Sequence, residues 1–146
     1  MPTHSSILLI EDSPGECELF RLALTQTGLD VALYTEHDAE AAFHFLEDRL
    51  QHNLLPALIL LDLQLSGQNG CDFLKRLRSD TRFAAIPVVV FTTSDDPTDL
   101  ARSYASGANG YVVKPGTFAE LILCTGDICR YWLDRNRVPH MVETRC

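Results

Sequence analysis

The chain has 146 residues, of which 46% are hydrophobic, enough to build one ordinary core without disulfide or metal staples. Its 12 Lys+Arg stand against 20 Asp+Glu, a formal charge of −8, which repels a phosphate backbone and argues against direct nucleic-acid binding. The five cysteines, Cys17, Cys71, Cys124, Cys129 and Cys146, are odd in number and lack C-x-x-C spacing, so they read as reduced thiols rather than a zinc or redox site.

The first apolar run, Ile7 to Ile10, stops at Glu11-Asp12. It is too short for a signal peptide or a membrane span, and a cytoplasmic protein without membrane contact is expected. It reads instead as a buried strand, as do Ala57 to Leu61 and Val88 to Phe91, because strands covered on both faces lose their alternation. Val31 to Tyr34 and Tyr111 to Val113 are shorter and more mixed, which suits strands nearer the sheet edges.

Helical patterns fill the gaps. The first opens at Ser13-Pro14-Gly15-Glu16, where Ser13 suits the N-cap, Pro14 the first helical position and Glu16 the return arm of a capping box. It runs to about Thr27 with Gly28 as its stop. The second spans about Asp38 to Leu50 with Ala42, Phe45 and Leu46 inward. The third starts near Gly70 and carries Phe73, Leu74 and Leu77, and the fourth lies between Pro97 and Gly107. The fifth runs from about Thr117 to Leu133 with Leu121, Ile122, Thr125, Ile128, Cys129 and Trp132 on one face, and tolerates Gly126 at a cost of about 1 kcal/mol.

Five alternations of strand and helix predict a doubly wound α/β fold: a five-stranded parallel sheet of flavodoxin-like order 2-1-3-4-5 with five helices. One domain over residues 6–135 is expected, followed by a loosely held tail over 136–146 and no output domain.

In such a sheet the ligand site lies beyond the carboxyl ends of the strands. There the sequence places Glu11-Asp12, Asp62, Thr92-Thr93-Ser94 and Lys114-Pro115. Each residue alone has an ordinary explanation as a cap, turn or surface residue, but coincidence on four strand ends is a poor account of all of them.

Three carboxylates brought together repel unless a cation lies among them, and an oxygen-only set favours Mg²⁺. Asp12 and Asp62 are the expected direct ligands, with the Gln64 backbone carbonyl as a third oxygen and Glu11 acting through water. Asp62 is then a carboxylate nucleophile, Lys114 offsets the charge of a transferring phosphoryl group, and the Thr92 hydroxyl bonds a phosphoryl oxygen.

Over Ser6 to Leu133 the sequence resembles the receiver domain of two-component response regulators. The resemblance rests on Ile-Leu-Leu-Ile-Glu11-Asp12-Ser, Leu-Ile-Leu-Leu-Asp62-Leu with Gly70 following, Val-Val-Val-Phe-Thr92-Thr-Ser, and Gly110-Tyr111-Val-Val-Lys114-Pro115. It implies phosphoryl transfer from a histidine kinase to Asp62 with Mg²⁺ as cofactor. It also implies a switch in which Thr92 moves and Tyr111 changes its burial; by itself Tyr111 reads as an edge-strand aromatic with its hydroxyl in water.

Phe91-Thr-Thr-Ser94 and Arg130-Tyr-Trp132-Leu133 with Val138-Pro139 resemble the single-domain receivers that serve phytochrome-type kinases. Those commonly form homodimers through the fourth helix, fifth strand and fifth helix. The Trp132-Leu133 ending reads equally well as a plug packing the last helix on its own domain.

Three positions tune access to the acceptor in the implied site: Gln64, Thr93 and Ser94. The family's usual proline after the acceptor is missing from Leu65-Ser66-Gly67, which is expected to loosen the loop carrying the Gln64 carbonyl. The nearest enzyme alternative, a phosphohydrolase with an Asp nucleophile, needs a second Asp where Gln64 stands. A pseudo-receiver would lack the acid pair or the acceptor. The expected protein is therefore a signalling phosphoacceptor and not an enzyme turning over a separate substrate.

Overall fold

The structure, a computed structural model, describes residues 5–139. Its main sheet comprises β1 (Ser6–Ile10), β2 (Ala32–Glu36), β3 (Leu58–Leu61), β4 (Val88–Thr92) and β5 (Gly110–Val113), all parallel, in the order β2-β1-β3-β4-β5. The order is the expected one, with the two mixed runs at the edges.

The continuous apolar runs are explained by where their alternate residues go. Leu8, Ile10, Ile59, Leu61, Val88 and Val90 enter one core with Phe43, Phe73 and Phe83, while Ile7, Leu9, Leu58, Leu60, Val89 and Phe91 enter another with Phe20 and Ile128. Both faces are dry along these runs, and the polar members of the strands, Ser6 and Thr92, fall at their ends.

Helix α1 (Pro14–Thr27) is capped by Ser13, whose hydroxyl accepts the Glu16 N–H, and it ends at Gly28 in the left-handed region at φ 71. The expected capping box is only half built. The Ser13 N–H donates to Glu11 Oε2 at 3.2 Å, and the Glu16 carboxylate lies 3.7 Å from Lys114. A buried acceptor nearby and an ammonium beyond the helix end replace the local partner.

Helix α2 (Ala39–Gln51) has Asp38 as its cap and buries Ala42, Phe43 and Leu46. Phe43, not Phe45, is the deep aromatic. Phe45 leans to the rim, 5.2 Å from the Tyr34 ring, with the Arg49 guanidinium above both rings.

Helices α3 (Gly70–Ser79) and α4 (Pro97–Ala105) follow as expected, although α4 buries only Ser103. Helix α5 (Phe118–Cys129) is shorter than its apolar period suggested, because Arg130–Arg135 continues as a π-helix. The wider turn carries Trp132 against Gly110, where an added Cβ would stand 3.2 Å from the indole. Trp132 and Leu133 thus pack on their own domain, and Tyr131 is left exposed.

A two-stranded antiparallel ribbon, Gln64–Leu65 with Gln68–Asn69, lies between β3 and α3. The loop expected to be loosened by the missing proline is instead pinned, with Leu65 buried next to its turn and Gly67 turning it at φ 70. A β-hairpin supplies the restraint that a fixed proline φ would have supplied. Cys17, Cys71, Cys124 and Cys129 carry free thiols, while Cys146 and residues 140–146 of the expected tail lie outside the described residues.

Candidate functional site: an acidic cleft at the carboxyl edge of the sheet

Asp62 follows directly on β3, and its N–H donates to the Ile10 carbonyl, so the parallel ladder itself delivers the acid beside Glu11. Its placement is possible only because Gly70 lacks a side chain. A Cβ there would stand 2.6 Å from the Asp62 carbonyl oxygen.

Glu11, Asp12 and Asp62 offer carboxylate oxygens that all lie within 4.8 Å of one another. They share an open cleft with Ser13, Glu16, Gln64, Leu65, Thr93 and Lys114. Lys114 Nζ lies 2.5 Å from Glu11 Oε1, 3.5 Å from Asp62 Oδ2 and 3.7 Å from Glu16 Oε2. Asp62 Oδ1 accepts the Gln64 N–H at 3.2 Å. Three carboxylates therefore face one ammonium, and Asp12 stands beside them in the same cleft.

Burial pushes the Glu11 carboxyl up to about 7, against the hydrogen bond and charge of Lys114, and the Asp62 charge adds to the rise. Burial by itself lowers the Lys114 ammonium, but the Glu11 hydrogen bond and the charges of Asp62, Glu11 and Glu16 together hold it above its ordinary value. Both groups are thus shifted upward, and Lys114 is the cation of the cleft. Asp12 behaves differently: a hydrogen bond from the Ser66 hydroxyl holds it below the usual carboxylate range.

Cys17 and His37, which the sequence pattern leaves out of the site, both reach the Glu11 backbone carbonyl. The Cys17 thiol donates to it at 3.6 Å, and His37 Nδ1 lies 3.0 Å away, which requires a proton on that nitrogen. They orient the acid pair from behind. The candidate metal donors gathered in the cleft are carboxylate oxygens, which suit a hard divalent cation.

Thr92, Ser94 and Tyr111 do not line this cleft. Thr92 is 1% exposed, and its Oγ1 accepts the Ser94 N–H at 3.3 Å. The Ser94 hydroxyl donates to Asp99 at 2.6 Å, and the Ser94 carbonyl accepts the Tyr111 hydroxyl at 2.8 Å. The Tyr111 hydroxyl is thus bonded to the chain rather than standing in water. Of the three access-tuning candidates, Gln64 and Thr93 face the cleft, whereas Ser94 turns toward α4.

Sequence reasoning missed Glu16, Ser66 and Asp99. Glu16 carried a signal, since it stands one helical turn beyond an acid pair at a strand end. Ser66 and Asp99 carried none, because their partners are distant in the chain or hidden by the turn geometry.

A sheet of this order with an acid triad and a lysine at its carboxyl edge defines the receiver class, and residues 7–124 match the response regulator receiver domain; the chain belongs to that family. Among its relatives, the probable methanogenesis regulatory protein FilR2 of Methanothrix harundinacea is 37% identical over 91% of this chain and 86% of its own. The response regulator Rcp1 of a Synechocystis strain is 33% identical over 91% of this chain and 92% of its own.

Solved structures agree. The phosphorylated cyanobacterial phytochrome response regulator RcpA superposes with a TM-score of 0.84 at 30% identity, covering 94% of this chain and all (100%) of that one. The Mn²⁺-bound form of Rcp1 gives 0.79 at 32%, covering 93% and 99%. No helix among the described residues is long and apolar enough to cross a membrane.

Proposed function

We propose that this protein is a phosphoacceptor switch in which Asp62 takes a phosphoryl group from the phosphohistidine of a histidine kinase. The observation that carries the reading is the buried Asp62, its side chain 11% exposed, with its Oδ2 facing Lys114 at 3.5 Å in an otherwise acidic cleft. A carboxylate oxygen attacks phosphorus, the P–N bond breaks with its electron pair returning to the imidazole, and an acyl phosphate forms.

Lys114 stands where it offsets charge on the transferring group, and Gln64 N–H fixes the other acceptor oxygen. A Mg²⁺ held by Asp12, Asp62 and the Gln64 carbonyl, with Glu11 acting through water, would supply the remaining positive charge. Thr92 is the residue that would move to bond the phosphoryl group, drawing on the Ser94 and Tyr111 connection behind it. Thr93 stands at the mouth of the cleft and limits access to Asp62, as does the Gln64 side chain.

The receiver unit is taken as residues 6–135, with output by protein contact. The likeness to RcpA, a cyanobacterial phytochrome response regulator, supports a phytochrome-type kinase as the donor. A homodimer through α4, β5 and α5 is supported by apolar side chains left in water on that side, with Leu100 41%, Tyr104 50% and Val113 40% exposed. A cytoplasmic location suits that donor.

Phosphotransfer from candidate kinases tests the acceptor: wild type labels and Asp62→Asn does not. Equal labelling of the two would sink the assignment. Size-exclusion chromatography with beryllofluoride and Mg²⁺ tests the dimer, and an unchanged elution volume argues against it.

A further inference from the structure

Ser66 sits at the tip of the ribbon that follows β3. The main-chain pairing of Gln64–Leu65 with Gln68–Asn69 and the buried Leu65 hold that tip in place. From it the Ser66 hydroxyl donates to Asp12 Oδ2 at 2.8 Å, across 54 residues of sequence. The bond joins the loop carrying Glu11 and Asp12 to the loop carrying Gln64. Lys114 gathers Glu11, Asp62 and Glu16, whereas the Asp12 carboxylate is held from the other side by Ser66.

We propose that Ser66 is a positioning residue for the divalent cation, latching the loop after β3 onto Asp12 so that the Asp12 carboxylate and the Gln64 carbonyl are arranged before the cation arrives. The inference deepens the cation reading given above and rests on it. An unrestrained carboxylate at the end of an open loop loses rotamer freedom when it ligates. A hydroxyl donating to Oδ2 removes that loss in advance, favours the ionised form and leaves Oδ1 for the cation. The same bond restrains the Gln64 loop, so one hydroxyl orders two oxygen donors.

The test is calorimetric titration of MgCl₂ into the unphosphorylated full chain, as wild type, Ser66→Ala and Ser66→Thr. Ser66→Ala weakens Mg²⁺ binding about tenfold, the lower end of what groups that hydrogen-bond a metal ligand contribute, because this one is exposed. Ser66→Thr keeps the hydroxyl and restores the affinity. Melting in chelator is the same for all three.

Unchanged or tighter binding by Ser66→Ala overturns the proposal. So does equal weakening by both variants, which would trace the effect to the loop rather than the hydroxyl. A lower melting temperature with unchanged affinity would make Ser66 a structural staple only and overturns it as well. Wild type that binds no Mg²⁺ overturns the cation reading itself, and the wild-type titration alone reveals that outcome.

Discussion

The Tyr111 hydroxyl donates to the Ser94 carbonyl at 2.8 Å, tying β5 to the segment that leads from Thr92 into α4. The bond stitches an edge strand to a helix that buries little of its own surface. Burial also raises the Tyr111 phenol above its ordinary value. Tyr111→Phe keeps the ring and removes only the bond, so urea unfolding is expected to show a loss of about 1 kcal/mol. A variant as stable as wild type would mean that the bond adds nothing to the fold.

Glu11 gives the metal-free protein a distinctive pH dependence. Its folded carboxyl is raised to about 7 from an ordinary 4.5, so the folded state holds its proton more tightly than the unfolded chain does. The contribution is full below about 4.5 and is lost as pH rises through about 7. In chelator, the difference in urea midpoint between wild type and Glu11→Gln should shift across that window, with the variant gaining relative to wild type as pH rises. A difference that stays flat would show that Glu11 does not titrate there.

Gly70 is a steric requirement of the acceptor. A Cβ 2.6 Å from the Asp62 carbonyl oxygen and 3.0 Å from Leu63 Cα meets backbone on both counts, and backbone at a strand end cannot swing aside as a side chain can. Gly70→Ala should cost about 1–3 kcal/mol, in the range of other overpacked sites, and weaken Mg²⁺ binding through displacement of Asp62. Denaturant melts with calorimetry measure both, and an unperturbed variant would show that the contact is relieved cheaply.

Cys129, 2% exposed, has its thiol pushed up by burial to about 11 from 9.0. The folded state therefore keeps the neutral thiol while the unfolded chain ionises. Stability from this group is full below about 9 and is lost as pH rises toward about 11. The decline measured over that window should be shallower in Cys129→Ala than in wild type, after the constant cost of the smaller side chain. Equal slopes would count against an ionisation penalty at this position.

Much of the site was legible before any coordinates, for a reason particular to parallel sheets. Strands dry on both faces leave no polar position until the strand ends, so Glu11-Asp12, Asp62 and Thr92 stand out after Ile10, Leu61 and Phe91, and Lys114 ends the half-buried edge run before it. Helix starts were legible likewise, since Ser13, Asp38 and Thr117 cap through bonds to residues three positions away. Phe43 was legible but missed: Ala39, Ala42, Phe43 and Leu46 keep i, i+3, i+4, i+7 spacing, which sets Phe45 on the other side of α2, and Phe43 packs against Phe73 and Phe83.

What the sequence by itself determined is the class of fold and the identity of the groups at its carboxyl edge, because both follow from short-range periodicity and from where apolar runs stop. What only the tertiary structure decided is how those groups are paired. Lys114 bonds Glu11 across 103 residues and Ser66 bonds Asp12 across 54, while Tyr111 bonds Ser94 behind the cleft. Hydrogen bonds depend on tenths of an ångström and on direction, and no spacing along a chain encodes those when the partners arrive on different strands.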